Sequence, residues 1–189
     1  MALQTIQQIF VENMLLRMLV SVILKKKMVV HLQQEILELN VRGGAYITFV
    51  DSDDWLEHDA LDRLYGALKK ENADISIGRY NYYDESRCQY LFYDSNPDNS
   101  FEVIEGKEII DREGVEEMRN GNWTVAYLKL FKRGLLQDLS FPIGKMAEDT
   151  YWTWKVLLRA SRIVYLNSYI YWYRIGLSDT LSNIWSEKR

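Results

Sequence analysis

The chain has little cysteine, histidine or proline, and no excess of positive charge. Cys88 is its one cysteine, so no disulfide framework can form within the chain, and this usage fits a reducing compartment. His31 and His58 are the two histidines, too few and too scattered for a histidine-based zinc site. A net charge of -4 argues against a nucleic acid gripped by a basic surface. Long hydrophobic runs are also missing. The most apolar stretch, Met14 to Leu24, contains Arg17 and runs into Lys25-Lys26-Lys27. It is shorter than the ~20 apolar residues a spanning helix needs. A secretory signal carries its positive charge before the apolar stretch, whereas here it follows. The pattern predicts an amphipathic or poorly packed helix at this point.

What is present is a globular composition. The 189 residues suffice for one domain with a core, and 48% hydrophobic content excludes a disordered chain. The composition changes at Gly43-Gly44. Before that pair there is no Gly, Asp, Tyr, Trp or Pro, and four of the six methionines (Met1, Met14, Met18, Met28) fall there. After it, Asp, Tyr and Trp are abundant. The chain divides accordingly into an atypical apolar segment, residues 1–43, and a domain, residues 44–189.

After the break the pattern is α/β. Tyr46 to Val50 predicts a buried strand, and Asp59 is placed to cap a helix reaching Lys70 with Leu61, Leu64 and Leu68 on one face. Ala73 to Gly78 alternates like a half-buried strand, and Tyr90 to Tyr93 predicts another. Lys107 to Arg119 predicts a helix, and Val125 to Phe131 a strand or strand–helix junction. Phe141-Pro142-Ile143-Gly144 is a loop. Thr150 to Ala160 predicts a helix with Tyr151, Trp154 and Leu158 on one face. Ile163 to Leu166 and Tyr169 to Tyr173 predict late strands.

Four constellations can carry chemistry. In the first, the apolar run Tyr46 to Val50 ends in Asp51-Ser52-Asp53-Asp54-Trp55. Carboxylates this close repel unless they are solvated or a divalent cation holds them. A strand end is also where open α/β sheets place ligands. Asp51 and Asp53 can therefore share Mg²⁺ or Mn²⁺ and, through it, a diphosphate; the blander reading is a solvated turn with Asp54 capping the approach to a helix. The second is Glu148-Asp149, either a helix N-terminal cap or the general base for a sugar hydroxyl. The third is Tyr171-Trp172-Tyr173-Arg174, which can stack on sugar faces and pair with phosphate, or simply pack as an aromatic strand. The fourth is Trp123 with Lys129-Leu130-Phe131-Lys132-Arg133, a cationic run that either faces a pyrophosphate or lies on the surface.

Taken in order, these segments resemble the family-2 inverting glycosyltransferases of the GT-A fold. Tyr46 to Leu56 is similar to the stretch carrying that family's metal-binding Asp-x-Asp. Lys129 to Arg133, Phe141-Pro142, Glu148-Asp149 and Tyr171 to Arg174 follow at similar spacing, and the resemblance covers about Gly44 to Asn183. It implies a mostly parallel sheet flanked by helices, in a bacterial enzyme of surface-polysaccharide synthesis. It implies a nucleotide-diphosphate sugar as donor, with a glycan or lipid-linked acceptor. Asp51 would contact the donor, Asp53 would ligate the divalent cation, and Lys129 and Arg174 would face the nucleotide. Asp149 would be the catalytic base, with Glu148 beside it. The implied location is cytoplasmic, extending to peripheral association with the inner face of the membrane.

The family's first strands and nucleoside motif cannot be read in residues 1–42. Regrouping their codons by one base permits those landmarks. Met1-Ala2 must give Gly, Lys27 to Val30 permit Asn-Gly-Gly, and Leu37 to Gly43 permit Gly-Ile-Glu-Cys-Ala-Arg. The expectation is an out-of-frame segment rejoining the family frame near Gly43-Gly44, which the coding DNA tests directly. Such a chain would have an incomplete nucleotide-binding half, a bare sheet edge, and weak or no activity. Two further readings stand beside transfer. One is a non-catalytic remnant serving as an interaction module. The other is an aspartyl phosphotransferase using Asp51, disfavoured because Trp55 stands where such enzymes carry Thr or Val.

Overall fold

A computed structural model describes residues 20–25, 44–92, 98–106, 108–109, 111, 122–142 and 148–176. Val20–Lys25 forms β1 and Tyr46–Asp51 forms β2, paired in parallel from Val20 opposite Tyr46 to Lys25 opposite Asp51. Trp55–Leu56 is β3, Ala60–Lys70 is α1 and Ile75–Asp84 is β4. Gln89–Leu91 (β5), Phe101–Glu105 (β6) and Lys129–Lys132 (β7) follow. Arg133–Leu136 is a short 3-10 turn, Glu148–Leu157 is α2 and Arg162–Ile175 is β8. The strands form one sheet in the order β1-β2-β7-β4-β8-β3, with β5 added to β4 and β6 to β8.

The α/β architecture agrees with the sequence expectation, but the sheet is mixed rather than mostly parallel. Its two longest ladders, β1–β2 and β4–β8, are parallel, and the other pairings are antiparallel. The helix expected over Met14 to Leu24 is also corrected, because 20–25 is a strand. Val20-Ser21-Val22-Ile23-Leu24 is rich in β-branched residues, and a short apolar run cannot be assigned to helix or strand by periodicity alone. The outer edge of β2, expected to be bare, is covered by β1. The rest of residues 1–43, and with it most of the frame expectation, lies outside the described residues. So does most of the expected helix from Lys107, of which Glu108, Ile109 and Asp111 are described as helical.

Both faces of the sheet are buried, which explains why β2 reads as a continuous apolar run. Ile47 and Phe49 point into one core with Phe131, Ile163 and the α2 residues Trp152, Val156 and Leu157. Val50 belongs to the other, with Leu130, Ile170 and the α1 residues Leu61, Leu64 and Leu68. The spacing of those leucines puts them on one helix face, and each buried leucine contributes about 1.5–3 kcal/mol. Asp59 stands at the N-cap without a side-chain capping bond; its carboxylate instead takes the Arg63 guanidinium at 2.6 Å.

Tyr151, Trp154 and Leu158 do share a face of the α2 segment, but it is the solvent face. The two expected late strands are one. β8 runs unbroken through 14 residues, and the register between β4 and β8 shifts around Gly78. There Ile170 of β8 presses so close that a Cβ on Gly78 would lie 2.5 Å from its Cγ1. Glycine is the residue that permits this approach.

Candidate active site

Strand β2 delivers Asp51 at its C-terminal end, and the chain turns at once, the Asp54 N–H donating to the Asp51 carbonyl at 3.1 Å. The turn gathers Asp51, Asp53 and Asp54 so that one carboxylate oxygen from each lies within 4.8 Å of the others. Charges about 4 Å apart repel by about 1 kcal/mol in water and about 4 kcal/mol at the dielectric of a protein surface. The three acids are nevertheless not equivalent.

Asp54 is fully buried. Its Oδ2 accepts the Tyr171 hydroxyl at 2.8 Å, and its Oδ1 accepts the Arg174 backbone N–H at 2.9 Å. The Tyr171 oxygen in turn accepts the Asp51 N–H at 3.1 Å. Burial first, and then the charges of Asp54 and Asp51, hold the Tyr171 hydroxyl well above its ordinary titration range, so it remains a donor. Asp54 is thus tied into the fold. Asp51 and Asp53 offer hard oxygen donors of the kind Mg²⁺ and Mn²⁺ take, so the residues present fit such an ion.

Asp149 reaches the same neighbourhood through the turn at 122–128. It lies in the first turn of α2 with Glu148, and its Oδ2 accepts the Ala126 N–H at 3.2 Å. The next residue, Tyr127, stacks on Tyr171 with ring centres 4.8 Å apart. Burial, and then the Asp51 charge, raise the Tyr127 hydroxyl pKa well above its usual value. Adjacent residues of one turn therefore contact the candidate base and the tyrosine that bonds the acid cluster. A second tie runs through the core, where Phe49, two residues before Asp51, packs on Trp152 of α2 at 5.2 Å.

The cationic run is structural, which corrects the expectation for Lys129. That side chain is fully buried, and its Nζ donates to the Asn122 and Val125 carbonyls at 2.5 and 2.6 Å. It fastens the turn that meets Asp149. Lys132 pairs with Asp74 at 2.9 Å, and Arg133 Nε donates to the Gly44 carbonyl. Trp123 is core, stacked on Tyr165.

Of the aromatic strand segment, Tyr171 and Trp172 are buried, and the Trp172 Nε1–H donates to Glu57 at 2.6 Å. The Arg174 guanidinium lies over the Trp55 ring at 5.1 Å and 3.6 Å from Glu85, close to the acid turn. Sequence reasoning missed Tyr127 and the bond from Ala126, because nothing in Val125-Ala126-Tyr127 marks a site. The tyrosines flanking it had a signal. Tyr80 and Tyr82 alternate in β4 opposite Tyr171 and Tyr173 of β8.

The acids gather at the C-terminal end of β2 in a mixed α/β sheet, the end at which open α/β sheets place their ligands. Residues 39–139 match the description of glycosyl transferase family 2, and the chain belongs to that family. It is similar to the glycosyltransferase GlyA of Streptococcus pneumoniae serotype 4, at 37% identity over 151 residues, which are 79% of this chain and 22% of that protein. It is 30% identical over 141 residues to the poly(ribitol-phosphate) beta-glucosyltransferase of Bacillus spizizenii, 72% of this chain and 20% of that one. The structure of S. aureus TarS 1-349 in complex with UDP-GlcNAc superposes with a TM-score of 0.55 at 22% identity, over 78% of this chain and 40% of that one. This is a likeness of fold. The chain therefore spans only about a fifth of these curated relatives. Among the described residues, no helix is long and apolar enough to cross a membrane.

Proposed function

We propose that this chain carries the metal- and base-bearing part of a glycosyltransferase domain, transferring a sugar from a nucleotide-diphosphate donor to a glycan or lipid-linked acceptor. Family membership and the named activity of the poly(ribitol-phosphate) relative support a role in bacterial surface-polysaccharide synthesis. In this reading the protein works in the cytoplasm, at the inner face of the membrane. The observation that carries the proposal is the acid cluster at the end of β2, which Tyr171 and Tyr127 link to the turn that anchors Asp149. Asp51 and Asp53 lie within ligand reach of one ion, and Asp149 is anchored on Ala126 beside Tyr127.

Asp53, with Asp51, would hold Mn²⁺ or Mg²⁺. Bound there, the ion would supply positive charge against the diphosphate leaving group. Asp149 would accept the proton of the acceptor hydroxyl as its oxygen attacks the anomeric carbon. A new C–O bond forms on one face while the bond to the diphosphate breaks on the other, its electron pair leaving with the phosphate oxygen. The sugar is thereby inverted in a single displacement. The Ala126 N–H fixes the carboxylate's orientation, and Glu148 adds a second acid in the same helical turn.

The test is sugar transfer by the purified chain across a panel of nucleotide sugars with Mn²⁺, for the parent and for Asp149→Asn. Transfer by the parent, lost in the variant with donor affinity retained, supports the assignment. An unchanged rate in Asp149→Asn removes the base from it. No Mn²⁺-dependent affinity for any nucleoside diphosphate would favour the non-catalytic remnant.

A further inference from the structure

The acid cluster looks symmetrical in sequence, yet the fold treats its members differently. Asp54 has no exposed surface, and each of its oxygens receives a hydrogen bond from β8, from the Tyr171 hydroxyl and from the Arg174 N–H. Tyr171 does more than donate to Asp54. Its oxygen accepts the backbone N–H of Asp51, so one buried hydroxyl spans both ends of the Asp51–Asp54 turn. The backbone closes the same turn from inside, Asp54 N–H to Asp51 carbonyl. The hydroxyl's own position is set by Tyr127 stacked on its ring and by the antiparallel pairing of Leu56 with Tyr171.

We infer that Tyr171 is a positioning residue and Asp54 a buried anchor rather than a third metal ligand, the two together holding Asp51 and Asp53 in the geometry that grips a divalent cation. This rests on the metal-site reading above. The tie acts by pre-organisation. Asp51 and Asp53 are like charges on a short turn and, left to themselves, rotate apart. A turn tied to β8 at Asp51 N–H and at both Asp54 oxygens resists that. Partners that orient metal-binding side chains typically account for about 10- to 100-fold in metal affinity. Tyr171→Phe removes one oxygen and keeps the ring stacked on Tyr127, so the fold survives while the tie is cut.

The experiment is Mn²⁺ titration of the full chain, with free Mn²⁺ read by electron paramagnetic resonance. Parent, Tyr171→Phe, Asp54→Asn and Asp53→Asn are compared at a temperature where circular dichroism shows each folded. Leu68→Ala, a buried α1 residue remote in sequence, serves as a control for stability loss alone. The expected result is loss of binding in Asp53→Asn, about 10- to 100-fold weaker binding in Tyr171→Phe and Asp54→Asn, and parent affinity in Leu68→Ala. If Asp53→Asn loses binding while Tyr171→Phe matches the parent, the positioning role is wrong and the metal site stands. The anchor role of Asp54 is overturned if Asp54→Asn abolishes binding as Asp53→Asn does while Tyr171→Phe matches the parent, which is the pattern of a direct ligand. If the parent binds no Mn²⁺, or Asp53→Asn binds like the parent, the metal-site reading falls and this inference with it.

Discussion

Replacing Gly78 by alanine would set a methyl carbon 2.5 Å from Cγ1 and 2.7 Å from Cδ1 of Ile170. Carbon atoms in contact sit about 3.5–4.0 Å apart, so the overlap is about 1 Å. Ile170 of β8 is fully buried in the core it shares with the α1 leucines, so it moves aside only by displacing packed neighbours. Overpacking of this kind costs about 1–3 kcal/mol. Alanine also restricts the unfolded chain, which returns about 0.4–1 kcal/mol. The net expectation is a loss of about 1–2 kcal/mol, or a midpoint lower by about 2–8 °C for a domain of this size. Thermal and urea unfolding followed by circular dichroism and tryptophan fluorescence measure it. The cause is checked by the double variant Gly78→Ala/Ile170→Ala. Ile170→Ala alone leaves a cavity and costs about 2–5 kcal/mol, but in the double variant the new methyl occupies vacated space. The two costs should therefore sum to more than the double variant loses, by about 0.5–3 kcal/mol. Strictly additive losses, or a Gly78→Ala protein as stable as the parent, would show that Ile170 does not bar a side chain at this position. Ile170 precedes Tyr171, so the same substitution should also disturb the hydroxyl that ties the acid turn.

Lys129→Met should lower stability by about 1–3 kcal/mol, because it leaves the Asn122 and Val125 carbonyls without their buried donor. Chemical denaturation reads this, and a fall in nucleotide affinity with stability unchanged would restore the phosphate-facing role. Asp74 carries a pH prediction. Burial works to raise its pKa, but the Lys132 ammonium and the N–H groups of Ser161 and Arg162 outweigh it and hold the carboxyl below its ordinary range. A depressed folded-state pKa gives stability that is present above the unfolded value, about 3.9, and lost as pH falls through the folded one. Asp74→Asn should therefore be less stable than the parent near neutrality, and the gap should close below about pH 4; a constant gap down to pH 2 contradicts this.

How far the site was legible depended on how local its causes are. Asp51 and Asp53 could be found because an apolar strand running into crowded acids is a contrast between neighbours. β2 was equally plain, since a strand buried on both faces leaves an unbroken apolar run. The anchoring of Asp54 was not legible, and a cap was only the blander alternative, because its partners, Tyr171 and Arg174, lie 117 and 120 residues away in sequence. Lys129 misled for the opposite reason. It stands in a short run with Lys132 and Arg133, and a charged run suggests a surface, yet its place in β7 turns it inward to two carbonyls. In α2 the helical period was clear, but the core was not on the face with the most conspicuous aromatic pair. Trp152, Val156 and Leu157 face inward while Tyr151, Trp154 and Leu158 face water. For 20–25 the residue types favoured a strand, but a run so short needed the neighbouring β2 edge to decide it.

The proposed role of Asp51 and Asp53 is to hold a divalent cation against a diphosphate. It is tested most directly by calorimetric titration of the purified chain with uridine diphosphate, with and without Mn²⁺, for the parent and for Asp53→Asn. The expected result is measurable affinity that requires Mn²⁺ and vanishes in the variant. Affinity that ignores Mn²⁺, or survives in Asp53→Asn, would contradict it.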